Sequence, residues 1–283
     1  MKFGPHSFEP SNLDKVFFPE AEITKGDLID YYAKVAEYML PHVQDRPLAM
    51  HRFPDGIDGK DFFQKKVPDY FPDWIKTVSV EREDGSKIEM VLANNAATLA
   101  YLANQACIAP HVWLSRADKL DRPDKMIFDL DPPEGHFDLV IKAARALREV
   151  LATEHDLDAS VMTTGSKGMH VVVPLRRTRP FEEVRQLAHD ICDELAGAYP
   201  NDFTTQVRKN KRKGRLFLDY LRNAYAQHSI APYGVRALPG APVATPLDWE
   251  ELGSLDRGAQ TYTIKNIFRR LGQKGAVWEK MVG

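Results

Sequence analysis

A chain of 283 residues, 43% hydrophobic and 28% charged, has length enough to bury a sizeable core as one large domain or two smaller ones. Its 38 Lys plus Arg against 40 Asp plus Glu leave a net charge of −2, which excludes a simple nucleic-acid coat and sends any nucleic-acid contact to local patches. The two cysteines, Cys107 and Cys192, exclude a disulfide framework and a zinc knuckle; no apolar run approaches the roughly 18 residues of a membrane span, and the N-terminus lacks an apolar signal core, so a reducing cytoplasm is expected.

In chain order, Leu28, Tyr31, Tyr32, Val35 and Tyr38 recur at helical spacing, which predicts a helix over 25–38. Thr24 is its N-cap with Asp27 three residues on, and Pro41 is expected to end it. Short strands follow at 47–52, 77–82 and 87–92, the last two flanking a Glu-Asp-Gly-Ser hairpin turn. Residues 95–105 read as a helix, 126–131 as a strand, and 138–154 as an amphipathic helix with Leu139, Ala143, Leu147 and Val150 on one stripe. Then come a strand at 159–163, a glycine turn at 165–168, a strand at 170–174, a helix at 181–199, a short strand at 215–220 and a helix at 263–271. Strands alternate with helices, yet hairpins also occur, which favours a mixed α/β (α+β) fold over a pure parallel sheet. Trp74, Trp113, Trp249 and Trp278 are expected in the core.

Three segments carry chemistry. In Met126-Ile-Phe-Asp-Leu-Asp-Pro-Pro, strand alternation points Asp129 and Asp131 the same way, with Cα atoms roughly 6.6 Å apart. Ile127 shares their face; Met126, Phe128 and Leu130 fill the other; Pro132 and Pro133 stop the strand. Such a pair suits a hard divalent ion, and equally a surface pair or a helix N-cap. The second segment is Thr163-Thr-Gly-Ser-Lys-Gly-Met-His170. Its glycines let backbone N–H groups approach an anion, Thr164 and Ser166 offer hydroxyls, Lys167 a cation and His170 a further donor. That describes a triphosphate cradle without the P-loop spacing; a plain hairpin has the same composition. The third is Leu216-Phe-Leu-Asp-Tyr-Leu-Arg-Asn, where Asp219 in an apolar strand wants a metal, the surface, or a salt bridge to Arg222 or Arg215. Two further features bear on nucleic acid. The run Arg208-Lys-Asn-Lys-Arg-Lys-Gly-Arg215 packs six cations into eight residues, among them Lys209, Lys211, Arg212 and Lys213. It lies next to the third segment, as a phosphate-binding patch or a solvated loop. Phe62 and Phe63 are adjacent, so they cannot both face the core of a strand, and one is expected to stack on a base or simply to be exposed.

Together the order Asp-x-Asp, Ser-x-x-x-His in a glycine turn, and a lone Asp at a strand end resembles the archaeo-eukaryotic primase superfamily. Longer strings resemble the polymerase domain of the bacterial end-joining ligase, ligase D, from about residue 7 to 280. They are Arg52-Phe-Pro-Asp-Gly-Ile-Asp-Gly-Lys-Asp-Phe-Phe-Gln-Lys, Asn104-Gln-Ala-Cys-Ile-Ala-Pro-His-Val-Trp-Leu-Ser-Arg, Gly165-Ser-Lys-Gly-Met-His-Val-Val-Val-Pro-Leu and Val235-Arg-Ala-Leu-Pro-Gly-Ala-Pro-Val-Ala-Thr-Pro. The resemblance implies a primase-polymerase fold, a central mixed or antiparallel β-sheet core flanked by helices, forming one catalytic domain over 1–283. Its DNA-end and 5′-phosphate part would span about 1–110 and its metal-site core about 111–283. It implies that Asp129, Asp131 and Asp219 are catalytic metal ligands. Thr164, Lys167 and His170 would hold the incoming triphosphate, Phe62 and Phe63 would lie near the templating base, Arg52 and His111 in the nucleotide pocket, and Arg236 near the phosphates. Asn12, Lys15 and Lys25 would form a pocket for a 5′-phosphate; without the resemblance these lysines are ordinary. The chain departs from relatives after the third acid. They often read Asp-Tyr-x-Gln-Asn and then Gly-Gln-Thr; here stand Asp219-Tyr-Leu-Arg-Asn and Ala226-Gln-His. Arg222 thus adds a charge beside the metals.

The activity implied is template-directed nucleotidyl transfer from an NTP or dNTP to a primer 3′-hydroxyl, with two divalent ions, Mn²⁺ or Mg²⁺, in gap filling at DNA ends during non-homologous end joining. The implied partners are primer-template and gapped DNA, double-stranded ends with a 5′-phosphate, the end-binding Ku protein and a separate DNA ligase. The implied location is cytoplasmic and nucleoid-associated, with no membrane. No ligase or phosphoesterase segment follows up to Gly283, which leaves a stand-alone polymerase or an excised domain. The other readings are a primase that starts chains de novo, a DNA-end-bridging module with minor catalysis, and a metal-dependent nuclease; the triphosphate turn and His170 disfavour the last.

Overall fold

The computed structural model describes residues 1–82 and 84–278; Glu83, the first residue of the expected hairpin turn, and residues 279–283 of the expected domain lie outside the described residues. Two antiparallel ribbons open the chain, β1 (Lys2–Phe3) with β2 (His6–Ser7) and β3 (Val16–Phe18) with β4 (Ile23–Thr24). Helix α1 (Lys25–Val43) begins in a complete capping box: the Thr24 hydroxyl accepts from the Asp27 N–H, and the Asp27 carboxylate accepts from the Thr24 N–H. Pro41 does not end it. The helix runs two residues further, carrying His42 and Val43 into the core, so burial offsets the hydrogen bond that proline cannot make.

The first large sheet is built from β5 (Pro47–Arg52), β6 (Phe62–Gln64), β7 (Thr77–Glu81), β8 (Lys87–Leu92) and, beyond helix α2 (Ala96–Asn104), β9 (Cys107–Trp113). The second comprises β10 (Lys125–Asp131), β11 (Ser160–Thr163), β12 (Met169–Pro174), β13 (Phe203–Thr204), β14 (Leu216–Asp219) and β16 (Pro246–Leu247), in the order β13-β14-β10-β12-β11-β16. Only its β13–β14 pairing is parallel. Strand β15 (His228–Ile230) leaves this half of the chain to pair with β9, giving the first sheet the order β15-β9-β5-β8-β7. Helices α3 (Phe137–Glu154) and α4 (Phe181–Ala198) cover the second sheet, α5 (Lys209–Arg212) is a single turn, and α6 (Ile267–Lys274) closes on the first sheet's core. The fold is therefore α/β, as expected, with its central β core divided into two sheets.

Strand alternation explains the layering. Met126, Phe128 and Leu130 of β10, with Met169, Val171 and Val173 of β12, pack against Val140, Leu147, Val184 and Ile191 of α3 and α4. Leu48 and Met50 of β5, with Ile108 and Val112 of β9, pack against Leu28, Tyr32 and Val35 of α1. The remaining faces meet each other: Ile127, Met162 and Val172 contact Ala109 and Ile230 across the gap between the sheets. Trp113 and Trp278 are buried, and Trp74 and Trp249 pack against the core.

The boundary expected near residue 110 falls inside β9, and the later part contributes to the first sheet's core. Tyr233, Val235, Ala241, Val243, Ile267 and Leu271, all from the later part, return to the first sheet's core. The hydroxyl of Tyr31 donates to the Tyr233 carbonyl at 2.7 Å, and that of Tyr32 accepts from the Val235 N–H at 2.9 Å. Among the described residues no helix is long and apolar enough to cross a membrane.

A buried ion cluster fixes the start of β10. Arg46, in the turn between α1 and β5, donates through Nη1 and Nη2 to both oxygens of Asp124 at 2.7 Å, and Arg116 Nε adds a bond of 2.9 Å. Burial pushes the Asp124 carboxyl up, but the charges and hydrogen bonds of Arg46 and Arg116 outweigh it and hold it down at about 2. Asp124→Ala leaves the buried Arg46 unpaired and should cost ~3–5 kcal/mol in denaturant unfolding. Because the folded carboxyl is depressed, its contribution is full above the ordinary aspartate range and is lost as pH falls toward about 2; the variant should lack that part of the acid limb.

Candidate active site

The polar residues of the two facing sheet surfaces gather where the sheets diverge beyond the Ile127–Val172–Ile230 contact. They line a cleft of about 430 Å³. From the second sheet and its turns come Asp129, Asp131, Thr164, Ser166, Lys167, Gly168 and His170, with Arg236; from the first come His51, Phe63, His111 and His228.

The acids are positioned by register. Asp129 of β10 stands directly between His170 of β12 and Asp219 of β14. Three residues on adjacent strands therefore form one row, with Asp131 two residues along on the same face. Beyond the short β14 pairing, Asn223 serves as a substitute strand: its side-chain amide donates to the Ile127 carbonyl at 2.7 Å and its Oδ1 accepts from the Ile127 N–H at 2.8 Å. This fixes the one-turn helix Leu221–Asn223, and with it Arg222, against β10.

The electrostatics of the acids differ. Burial pushes Asp129 up, but His170, whose Nε2 lies 3.6 Å from Oδ1, and Arg222, whose Nε lies 3.4 Å from Oδ2, bring it below the usual range. Burial and the neighbouring charge of Asp129 raise both Asp131 and Asp219. Asp131 faces Arg212 at 3.6 Å. Asp219 pairs with neither Arg222 nor Arg215; its Oδ1 accepts the Leu221 N–H at 2.7 Å, while Arg215 is spent on the carbonyls of Arg212, Pro200 and Lys211. Three carboxylates, oxygen donors only, with two of them penalised for carrying charge, form a set that suits a hard divalent ion. Among the described residues no three His, Cys, Asp or Glu side chains already converge as ligands on one point, so their rotamers must adjust to share an ion.

The glycine turn is shaped by its neighbours. A Cβ on Gly168 would lie 1.9 Å from the Leu130 carbonyl oxygen, and one on Gly165, at φ +66°, would lie 2.8 Å from Arg236. The Thr164 hydroxyl is engaged inside the turn, donating to the Gly168 carbonyl at 3.0 Å and accepting from the Ser166 and Gly168 N–H groups. That leaves Ser166, Lys167, His170 and Arg236 as the polar groups facing the cleft on this side. Arg236 has no carboxylate in salt-bridge range among the described residues. Gln260, which the sequence did not point to, holds the turn from behind by donating to the Ser166 carbonyl at 3.1 Å.

Opposite lies an aromatic wall. Phe63 stacks on His51 at 4.1 Å between ring centres and meets His111 and His228 at 5.2 and 5.3 Å. Burial, then the nearby cations and imidazoles, lowers His111 well below its ordinary value and brings His228 down to about 4, so both are neutral at pH 7. His51 and His228 were not selected from sequence; alternation along β5 and β15 is the signal that would have found them. Phe62 and Phe63 are both exposed, at 43% and 47%. Phe62 turns away from the cleft beneath the Arg52 guanidinium, and Arg52 itself bonds the Gln105 carbonyl, Gln64 and Tyr70 instead of lining the cleft.

The other expected contacts lie apart from the acids or at their edge. Lys25 heads α1, its Nζ donating to the Ser11 carbonyl at 2.6 Å and the Ser11 hydroxyl at 3.1 Å; burial and then Lys15 lower its pKa. Lys15 pairs with Asp55 at 2.7 Å, and Asn12 takes a left-handed φ of 53° that lets its carbonyl accept the Lys15 N–H. Arg208, Lys209, Lys211 and Lys213 are exposed around α5. A groove lined by Asp131, Lys167, Lys209, Arg212 and Arg215 joins this run to the acids.

Asp219→Asn should keep the Leu221 hydrogen bond while removing one of the clustered negative charges. A raised carboxyl is one whose ionised form costs stability at neutral pH, so the variant should melt about 2–4 °C higher, the response to about 1 kcal/mol.

Comparison with known proteins accounts for the same geometry. The family model for the LigD primase-polymerase domain matches residues 24–278. The "Multifunctional non-homologous end joining protein LigD" of Mycolicibacterium smegmatis is 34% identical over 268 residues, 94% of this chain and 35% of the relative. The "Bifunctional non-homologous end joining protein LigD" of Bacillus subtilis is 33% identical over 267 residues, 94% of this chain and 42% of the relative. The chain thus spans well under half the length of these curated relatives. Among solved structures, the "Polymerase Domain from Mycobacterium tuberculosis Ligase D in complex with DNA" superposes with a TM-score of 0.90 at 31% identity, covering 97% of this chain and 98% of that one. With two of the acids, the glycine turn and the aromatic wall in one cleft, and a family match running nearly end to end, the chain belongs to the LigD primase-polymerase domain family.

Proposed function

We propose that the chain is a DNA-directed nucleotidyltransferase that fills or extends DNA ends in non-homologous end joining, adding a nucleotide to a primer 3′-hydroxyl. The observation that carries this is the His170–Asp129–Asp219 row beside the Ser166–Lys167 turn: Asp129, Asp131, Lys167 and Arg236 line one cleft, and Asp219 stands next to Asp129 on the neighbouring strand, facing the adjoining groove. Asp129, Asp131 and Asp219 would hold divalent ions, two in the full reading, Mn²⁺ or Mg²⁺. When bound, such ions supply positive charge at the 3′-hydroxyl and at the departing pyrophosphate.

The chain's own groups do the rest. Lys167, His170, Ser166 and Arg236 bind and orient the triphosphate, their positive charge and donors gathered on one side of the cleft where charge develops on the phosphates. Gly168 and Gly165 let the turn sit against β10 and Arg236 without a side chain intervening. Phe63, with the neutral rings of His111 and His228 and with His51 stacked on it, offers a stacking and hydrogen-bonding surface for the base and sugar. Arg208, Lys209, Lys211, Arg212 and Lys213 suit the DNA backbone, and Asn12, Lys15 and Lys25 suit a downstream 5′-phosphate. Phe62, exposed beside Arg52, suits the template side. Ku and a separate ligase are proposed partners of the same pathway.

Two measurements test this. In primer extension on gapped DNA with Mn²⁺ or Mg²⁺ and rNTPs or dNTPs, Asp129→Ala should lose at least about 100-fold in rate, as when a main electrostatic element is removed, while DNA binding stays within about twofold. Normal incorporation by that variant would overturn the assignment. On the same gapped substrate a 5′-phosphate should stimulate wild-type extension, and Lys25→Ala should remove most of that stimulation; a phosphate effect indifferent to Lys25 would place the 5′-phosphate elsewhere.

A further inference from the structure

Each acid of the cleft already meets a partner from the chain itself, and the two arginines among those partners are held in different ways. Arg212 is anchored. Its Nε donates to the Gln206 carbonyl at 3.2 Å, its Nη2 to the Val207 carbonyl at 3.0 Å, and its guanidinium lies 4.0 Å from the Phe217 ring centre. Its approach to Asp131 is therefore a fixed part of the wall. Arg222 has a fixed backbone, because Asn223 ties its turn to β10, but a free side chain. That side chain is 41% exposed, and among the described residues its one hydrogen bond is from Nε to Asp129 Oδ2. It borders both the cleft and a groove lined by Arg185, Asp219, Ala224 and Gln227, into which it has room to turn.

We propose that Arg222 is a built-in competitor for the divalent ion: its guanidinium and the ion claim the same oxygen of Asp129, and the ion binds only as Arg222 swings aside. This rests on the reading of the three acids as ion ligands. The competition has two parts. The ion must displace a charge-assisted hydrogen bond, and it must enter beside a like charge held within one residue turn of Asp219. Both parts vanish when position 222 is uncharged, and the charge part persists when it is lysine. Arg212 cannot relieve the competition, since its carbonyl and ring contacts keep it in place. The consequence is a site tuned toward weak ion binding until an anionic triphosphate arrives to accept the displaced guanidinium.

The test is direct Mn²⁺ binding to the purified full chain without nucleotide or DNA, read as loss of the free-ion electron paramagnetic resonance signal. Arg222→Gln should bind Mn²⁺ at least about fivefold tighter than wild type, the size expected on removing a half-exposed ion pair from the competition. Arg222→Lys should lie within about twofold of wild type, the residual charge still opposing the ion. An unchanged constant in Arg222→Gln, or equal tightening by both variants, overturns the proposal. Asp129→Asn separates this from the underlying reading. If it binds Mn²⁺ as well as wild type, the acids are not the ion site and both fall. If it loses Mn²⁺ while Arg222→Gln is unchanged, the competition alone falls.

Discussion

Everything in the cleft answers to the charge on Asp129. It stands in the middle of a row across three strands, with a histidine on one side, a second aspartate on the other and a third two residues along its own strand. A buried carboxylate is costly unless compensated, and compensation here is uneven. His170 and Arg222 hold Asp129 in its charged form, and that charge in turn pushes Asp131 and Asp219 toward protonation. The cluster is internally frustrated, one acid satisfied and two strained. Such an arrangement persists because the strand register fixes where the three acids stand, and a divalent cation shared among them would offset it most.

The register itself depends on contacts remote from chemistry. Ile127, Val172 and Met162 from one sheet meet Ala109 and Ile230 from the other and close the sheets at one end. Because side chains alternate, the residues on those same faces one step further along are Asp129, His170, His111 and His228. The apolar contact and the polar cleft are thus consecutive stretches of the same two faces, and a one-residue slip would bury the acids among α3 and α4. Arg46, Asp124 and Arg116 pin β10 at its start, and Asn223 at its middle, so the strand that carries two acids is held at both points where pairing with β14 is missing.

Where a local rule operated alone, the sequence was legible. Alternation and turn chemistry gave β5 and β8 to the residue, the Thr24–Asp27 box gave the start of α1, and the two faces of β10 were assigned correctly. Where a rule was overridden by packing, it misled. Strand β9 went unseen because Pro110 sits in its middle, opposite Met50; its carbonyl still accepts from the Ala231 N–H, so the strand tolerates the missing donor. Pro41 carries a stop signal, yet Val43 beyond it is fully buried and the helix continues. That β15 crosses back to β9 is a long-range pairing with no local signature. Long strings such as Gly165-Ser-Lys-Gly-Met-His carried the family resemblance, yet they did not reveal that the Thr164 hydroxyl is spent within its own turn, or that Arg222 reaches Asp129 and leaves Asp219 to a backbone N–H.

The two walls of the cleft differ in charge for a physical reason. The second sheet supplies charged groups, carboxylates on its strands and a cation on its turn, of which Asp131 and Lys167 also border the groove beside α5. The first sheet supplies two imidazoles, His111 and His228, that burial keeps neutral, packed around one phenyl ring. An elongated ligand with a polyanionic end and an aromatic, uncharged end has one orientation in which neither half meets the wrong wall. Reversal would set phosphates against desolvated neutral rings that cannot offset their charge, and would leave Lys167 and Arg236 facing an apolar surface. In the proposed reading, orientation would follow from this contrast in charge across the cleft, and Ser166 and Arg236 would need only select among ligands that enter the right way round.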